Sequence, residues 1–297
     1  MSAFDAGLTS LEDAAGRLSA ISLSPDKGLH EPFTRVTYQE TLDRSKLQFP
    51  EELLSLFHHP IYGELSEEQK WNLSLLETIN FFSVNIHGER KLVQGLEERL
   101  YVPSRFNGSR LIGEYLQHFI HEENSHTYML AGYCHRYGDG VMKDNAIQIE
   151  NPEVSDIGAE LLFFGRVFVL EMFLDYLNTY AMRDERLDTT ARLIHRLHHH
   201  EEARHMAFDR EVIELCVKLA RENGLDDELS RIARLLDDYG RFALQSLYSP
   251  HVYKKMGIPD PMQVAHEAQR LPARVTVEQK WRAKTRESLS KMGLSVH

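Results

Sequence analysis

Residues 195–205 read His-Arg-Leu-His-His-His-Glu-Glu-Ala-Arg-His, and residues 121–126 read His-Glu-Glu-Asn-Ser-His. Each stretch contains one Glu-x-x-His motif, which ends at His205 in the first and at His126 in the second. Residues three apart on a helix point in the same direction, so each motif offers a metal one oxygen and one nitrogen ligand. Two such motifs, together with one glutamate from each of two further helices, make the dinuclear carboxylate site of a ferritin-like bundle.

The surrounding sequence predicts the helices that such a site requires. Helical periodicity dominates from residue 65 onward, and there is no useful alternating strand pattern and no internal repeat. Capping residues, glycines and prolines place four long helices at about 65–100, 109–137, 155–182 and 188–224. Further helices are predicted at about 51–58, 226–247, 261–271 and 277–292. The predicted fold class is all-α, a ferritin-like four-helix bundle with additional flanking helices.

We place no domain boundary in the chain and predict a single domain over residues 1–297 that contains the dinuclear site. The metal-binding bundle occupies about 65–224 in this prediction, and the C-terminal helices occupy 226–297. Prolines and a glycine interrupt residues 1–50. We therefore predict that this segment is an arm that wraps around the core.

Composition excludes several classes of function. The 297 residues are 42% hydrophobic and 27% charged, which is ordinary for a soluble globular protein, and the formal net charge of −11 argues against a nucleic-acid binder. Cys134 and Cys216 are far apart, which excludes a disulfide framework and a zinc ribbon and suits a reducing cytoplasm. The N-terminus lacks a signal-peptide pattern, and the most apolar stretch, residues 161–170, is too short to span a membrane. We expect a cytoplasmic protein with neither a nucleic-acid nor a membrane partner.

The predicted first long helix offers two candidate carboxylates. Glu89 lies in the middle of a core-facing seam that steps by three and four residues, whereas Glu77 lies on a less apolar stripe. We therefore predict Glu89 as the ligand. The seam comprises Ile79, Phe82, Ile86, Glu89, Val93, Leu96 and Leu100.

The predicted third helix places Glu171 between two apolar runs. A buried carboxylate there costs several kcal/mol unless something compensates it, and a metal ion would do so. The alternative is an ion pair with Arg166 or with an arginine of another helix. Glu160 is nearer the start of the helix, and we predict that it is a surface charge of the first turn.

The predicted fourth helix carries a third inward histidine. His198 lies on the same seam as Glu202 and His205, and it is either a metal ligand or a histidine satisfied within the core. Glu201 competes with Glu202 for the ligand position because it also lies three or four residues from both histidines. The symmetry of the two Glu-x-x-His pairs favours Glu202.

The predicted ligand set contains four carboxylates and three imidazoles, which suits iron or manganese rather than structural zinc. Histidine ligands need hydrogen-bonded partners, for which Glu122, Asp175, Glu201 and Arg204 are candidates, and we predict Glu201 and Arg204 in that role. The predicted ligands are Glu89, Glu123, His126, Glu171, His198, Glu202 and His205.

The order of these residues resembles the di-iron N-oxygenases typified by p-aminobenzoate N-oxygenase. The shared pattern is a glutamate, Glu-x-x-His, a second glutamate and then His-x-x-x-Glu-x-x-His. The Glu-Glu-Ala-Arg-His stretch at 201–205 also resembles a motif of bacterial di-iron oxygenases in general. The resemblance covers roughly residues 65–210 and is specific at the metal site.

This resemblance implies an oxygenase with two iron ions, or manganese in their place, and O2 as co-substrate. It implies N-oxygenation of a small-molecule amine toward hydroxylamine and nitro products, in secondary metabolism such as antibiotic biosynthesis. An external electron donor is implied, and we expect a homodimer. The alternatives are a di-iron C–H hydroxylase or desaturase, and an iron-handling protein of the ferritin class.

Two features bear on the partners of the protein. No lysine or arginine lies between Trp71 and Gly88, so this stretch of the helix offers no cation for a substrate carboxylate. A less polar amine and a substrate tethered to a carrier protein are therefore also open. The basic tail, residues 273–297, is either a solvated helix face or a docking patch for an acidic partner such as a reductase.

Overall fold

The computed structural model describes residues 3–24, 34–102, 109–144 and 152–295. Within these ranges the secondary structure is helical, and the only β-type contact is an isolated bridge between Leu47 and Leu187. The α-helices in chain order are α1 (Ala3–Ser22), α2 (Pro60–Glu64), α3 (Glu67–Glu97), α4 (Arg110–Tyr137), α5 (Asp156–Arg183), α6 (Thr189–Glu222), α7 (Asp226–Gln245), α8 (Pro250–Lys255), α9 (Pro261–Arg270) and α10 (Pro272–Lys291).

The four long helices α3 to α6 begin where the sequence indicates. Ser66 and Gln69 form a capping box at the start of α3, in which each side chain hydrogen-bonds the backbone N–H of the other. Ser155 and Asp188 accept hydrogen bonds from the first turns of α5 and α6. These caps satisfy backbone donors that the helix itself leaves open.

Two closely packed helix pairs form the bundle. α3 packs mainly against α4, and α5 packs mainly against α6. Five residues join α5 to α6, so the two helices must run antiparallel. Contacts of α4 with α6 and of α3 with α5 join the pairs around one interior, which confirms the predicted ferritin-like bundle.

The N-terminal segment, which was predicted to be an arm, contains the helix α1. α1 lies against both α4 and α6 and buries Leu11, Ala14 and Ala15 in the core. Residues 25–33 of the predicted arm lie outside the described ranges. The helix predicted near residues 51–58 is only a 3-10 turn, Glu51–Leu53, and α8 was not predicted.

The C-terminal helices cover the α5 side of the bundle. α7 packs on α5, and α10 packs on α7 and α9. Arg274 of the basic tail is buried, and Arg282 and Arg286 both pair with Asp237 of α7. Much of the positive charge of this tail is therefore balanced within the fold, which favours a helix face over a docking patch.

One hydrophobic core cluster includes buried residues from all ten of these helices. In the described part of the chain, no helix combines the length and the apolar character needed to cross a bilayer.

Candidate metal centre

All seven predicted ligands lie in the middle of the bundle, and none is more than 4% exposed. They divide into two groups of four that share Glu202. In each group the donor atoms lie within 4.8 Å of one another. The first group is Glu89, His126, His198 and Glu202, and the second is Glu123, Glu171, Glu202 and His205.

The donor atoms of these groups are close together but poorly satisfied. Both carboxylate oxygens of Glu123 and of Glu171 are buried without a hydrogen-bond partner among the described residues. The Nδ1 atom of His205 lies 2.8 Å from Glu123 Oε1, yet neither atom has a hydrogen bond. Unsatisfied buried carboxylates are costly, and divalent cations would compensate them. The residues therefore fit a dinuclear metal centre built from oxygen and nitrogen ligands.

The electrostatics single out Glu202 between the two groups. Burial raises the pKa of Glu89, and burial together with Asp209 raises the pKa of Glu171 well above its usual value. Burial also acts on Glu202, but His198 and His205 outweigh it and hold the pKa of Glu202 well below the ordinary range. The carboxylate that the two groups share is thus the most readily ionised of these three.

The two Glu-x-x-His motifs support each other in a crossed manner. His126 on α4 contacts Glu201 on α6 through Nε2, at 2.7 Å. His205 on α6 contacts Glu122 on α4 through Nε2, at 2.8 Å. In each motif, the glutamate that precedes the ligand glutamate therefore serves the histidine of the other motif. Both histidines turn Nδ1 toward the centre, because their Nε2 atoms are occupied.

Arginines neutralise these outer glutamates. Arg204 donates to Glu122 at 2.7 Å, and Arg35 donates to Glu201 through both of its terminal nitrogens. Burial acts to raise the pKa of Glu122, but His205 and Arg204 lower it to about 2. Ser22, at the end of α1, also donates to Glu122, at 2.7 Å. The structure thus places Glu201 and Arg204 directly behind the predicted ligands.

His198 has a different environment from the other two histidines. Its Nε2 faces the centre, 2.8 Å from Glu202 Oε1 and 3.2 Å from Glu89 Oε1. Its Nδ1 lies 2.7 Å from the side-chain amide of Asn178. The partner behind this histidine is thus a neutral amide instead of a carboxylate.

Several competing residues lie away from the two groups. Glu77 accepts hydrogen bonds from Ser55 elsewhere in the core. Asp175 pairs with His199 and therefore does not serve a ligand histidine. The prediction that Glu160 is a surface charge is wrong, because Glu160 is buried and pairs with Arg99, two residues beyond the end of α3.

Four residues near the centre were not predicted from the sequence. Thr127 donates to Glu89 at 3.0 Å, Arg35 pairs with Glu201, and Asn178 contacts His198. Asp209 is fully buried, and burial raises its pKa well above the usual value. Asp209 follows His205 by one helical turn, so the inward seam carried a signal for it. Arg35 had no such signal, because its contact with Glu201 joins residues that are 166 positions apart in the sequence.

A cavity of about 970 Å³ opens onto the carboxylates. Side chains of α3 and α5 form its apolar wall, including Leu92, Val167 and Leu170. Arg166 of α5 and Tyr239 of α7 also line the cavity. The lining includes Glu89, Glu123, Glu171 and Glu202, so a bound molecule can reach the predicted metal centre.

The sequence matches the p-aminobenzoate N-oxygenase AurF family over residues 9–293. The chain belongs to this family. The AurF family takes its name from an N-oxygenase. Family membership and the two donor groups together identify the chain as an oxidoreductase with a dinuclear metal centre. No curated protein matches the chain.

Solved structures similar to this AurF-family chain share its fold at low sequence identity. One is a variant of an R2-like ligand-binding oxidase with an aerobically reconstituted Mn/Fe cofactor, at 15% identity and a TM-score of 0.56, covering 96% of this chain and 93% of that one. Another variant of that oxidase, with an anaerobically reconstituted Mn/Fe cofactor, has 14% identity and a TM-score of 0.53, covering 91% and 93%. These similarities establish the ferritin-like fold.

Proposed function

We propose that the protein is a di-iron monooxygenase that uses O2 to oxidise a small-molecule amine at nitrogen. The observation that carries this proposal is the pair of four-donor groups sharing Glu202, at the inner end of a cavity large enough for an organic substrate. Family membership supports oxygenation of an amine, and the carboxylate-rich donor set supports iron. Manganese is the alternative metal for the same donors.

The bound metal pair supplies O2 activation and the redox chemistry. Insertion of one oxygen atom into an amine N–H bond, with reduction of the other oxygen to water, consumes O2, two electrons and two protons and yields a hydroxylamine. We propose that an external donor supplies these electrons.

The chain's own residues hold and shield the site. Glu201 and Glu122 fix the rings of His126 and His205, so that each Nδ1 points inward. The apolar wall of α3 and α5 keeps water from the inner end of the cavity. The amine must therefore reach the centre along this wall.

Arg166 suggests the chemistry of the substrate's other end. Lys91, Arg99, Lys143 and Arg166 line the cavity, and Lys91 and Arg99 pair with Asp144 and Glu160. Arg166 lies on α5, five residues before Glu171. At 1.5 Å per residue this separation is about 7.5 Å along the helix, roughly the length of one aromatic ring with its substituents. We propose a substrate with an amine at the metal centre and an anionic group near Arg166.

The test is product analysis by mass spectrometry after anaerobic loading with Fe2+ and exposure to O2 and a reductant. p-Aminobenzoate, aniline and a hydrocarbon of similar size are compared as substrates. N-oxygenated products from the amines support the proposal, whereas hydroxylated or desaturated hydrocarbon products alone would show C–H oxidation. Many irons per chain, instead of two, would show iron storage.

Arg166→Gln tests the anionic end separately. This variant should lose most of the preference for p-aminobenzoate over aniline while still oxidising aniline. Arg196→Gln is the matched control, because Arg196 lies on the exposed face of α6. An unchanged preference in Arg166→Gln would remove the anionic group from the proposal.

A further inference from the structure

Asn178 lies between two histidines in the interior of the bundle. Its Nδ2 is 2.7 Å from Nδ1 of His198, and its Oδ1 is 2.7 Å from Nδ1 of His195. All three side chains are at most 1% exposed. Solvent therefore does not satisfy these groups, and the three side chains must match donors to acceptors among themselves.

A metal ion at His198 fixes where the proton of that ring must lie. Nε2 is the nitrogen that faces Glu89 and Glu202, so it is the nitrogen that would bind the metal. A neutral imidazole carries one proton, which must then be on Nδ1. An Nδ1–H group needs an acceptor, and in Asn178 only the amide oxygen can accept.

We propose that Asn178 and His195 are positioning residues that select the Nδ1–H form of His198 in the metal-bound protein. In that state the Asn178 amide is turned over relative to the arrangement in the structure, which exchanges the positions of its oxygen and nitrogen without moving either ring. Its oxygen then accepts from His198 Nδ1, and its NH2 group donates to His195 Nδ1. His195 then carries its own proton on Nε2. This inference rests on the proposed metal function and adds the chain of hydrogen bonds that prepares its third histidine.

The surroundings of His195 favour this arrangement. Its Nε2 is buried without a hydrogen-bond partner among the described residues. The ring lies among Phe49, Phe81 and Phe82, with centroid distances of 6.3, 5.6 and 5.3 Å. An N–H group directed at aromatic rings makes a weak attraction, whereas a nitrogen lone pair there gains nothing.

Burial, reinforced by His198, lowers the pKa of His195 to about 3. The His195 ring is therefore neutral and has one donor and one acceptor nitrogen, as the chain of hydrogen bonds requires.

The hydrogen bonds behind the three histidines also make these ligands unequal. Carboxylates lie behind His126 and His205 and increase the basicity of those ligands, whereas the amide of Asn178 is neutral. Within the group that contains both His126 and His198, Asn178 should therefore make His198 the weaker nitrogen donor.

The direct test is 15N NMR of histidine-labelled protein loaded with Zn2+, a diamagnetic probe for the metal pair. We expect His198 to be protonated at Nδ1 and His195 at Nε2. Protonation of His195 at Nδ1 in the Zn2+-loaded protein would overturn the inference, and it needs no variant to be observed.

Substitutions test the same chain through metal affinity, measured by Fe2+ competition with a chelator. Asn178→Leu should weaken one of the two Fe2+ sites about 10- to 100-fold, whereas Asn178→Asp, which keeps an acceptor, should retain it. Asn85→Leu is the matched control, because Asn85 is equally buried but donates to Phe81 of its own helix. His195→Phe should weaken the same site, and His195→Asn should restore it.

The outcomes separate this inference from the proposed function. If wild-type protein binds fewer than two Fe2+ ions, the proposed function fails. If wild-type protein and Asn178→Leu both bind two Fe2+ ions with the same affinity, only the role of Asn178 fails.

Discussion

At the scale of single residues, His198 distinguishes this site from a bundle with only two Glu-x-x-His motifs. Its Nε2 lies among the donor atoms of one group, beside Glu89 and Glu202. His198→Ala should reduce bound iron from two ions to about one per chain, because one group loses one of its two nitrogen donors while the other group stays intact. Metal analysis after gel filtration measures this.

The control for that prediction is His200→Ala on the same helix, since His200 is exposed. Equal iron content in both variants would remove His198 from the ligand set.

Glu201 tests the crossed support of the histidines. Glu201→Gln keeps the size of the side chain but weakens the hydrogen bond to His126 and the ion pair with Arg35. We expect about 10- to 100-fold weaker Fe2+ binding in chelator competition. Glu222→Gln, an exposed change at the end of α6, should bind as wild type does. Wild-type affinity in Glu201→Gln would mean that the histidine needs no charged partner.

At the scale of elements, α1 connects the N-terminus to the metal-binding helices. Leu11 is fully buried where α1 meets the bundle, so Leu11→Ala should cost about 2–5 kcal/mol of unfolding free energy. Leu23, just after α1, is 71% exposed, and Leu23→Ala should change little. Denaturant unfolding of the metal-free protein compares the two, and similar losses would contradict the packing of α1.

The sequence predicted the four long helices because their caps and apolar seams are local signals. α3 to α6 begin and end within a few residues of the predictions. α1 was missed although Leu8, Leu11, Ala15 and Leu18 follow helical spacing, because the prolines and the glycine that follow this stretch were taken to interrupt the whole of residues 1–50. Glu160 was wrongly predicted to be a surface charge, because its position near the start of a helix does not indicate which residue covers it. In the structure, Arg99 pairs with Glu160.

The site was predictable where a local sequence pattern marks its residues. Six of the seven proposed ligands were predicted from helical spacing and Glu171 from the apolar runs around it, and the structure brings all seven together. Arg35 and Glu201 are 166 residues apart in sequence, and no periodicity connects them. The roles of the seven residues as metal ligands, and of Glu201 and Arg204 as their supports, stay predictions.

At the scale of the whole molecule, Glu77 should make stability depend on pH. Burial raises the pKa of Glu77 from 4.5 to about 7, although hydrogen bonds from Ser55 act to lower it. The folded protein then holds this proton more tightly than the unfolded chain. Stability should therefore fall as pH rises from about 4.5 to about 7, by roughly 3 kcal/mol from this group, and change no further above that range.

Glu77→Gln removes this ionisation. The variant should be more stable than wild type at pH 8 and gain little at pH 4.5, as measured by thermal unfolding of metal-free protein at both pH values. Glu98→Gln, at an exposed position, should show no such difference. A gain of equal size at both pH values would show that the effect is packing and not charge.

The crossed glutamates have a consequence for protein engineering. Because Glu122 serves His205 and Glu201 serves His126, neither helix carries a complete half of the site. If one Glu-Glu-x-x-His segment is transplanted into another scaffold, its histidine lacks the glutamate that supports it, and its outer glutamate lacks the histidine that it contacts. The smallest portable unit is the α4–α6 pair in its native register, and a library that recombines these two helices from different parents must keep both outer glutamates.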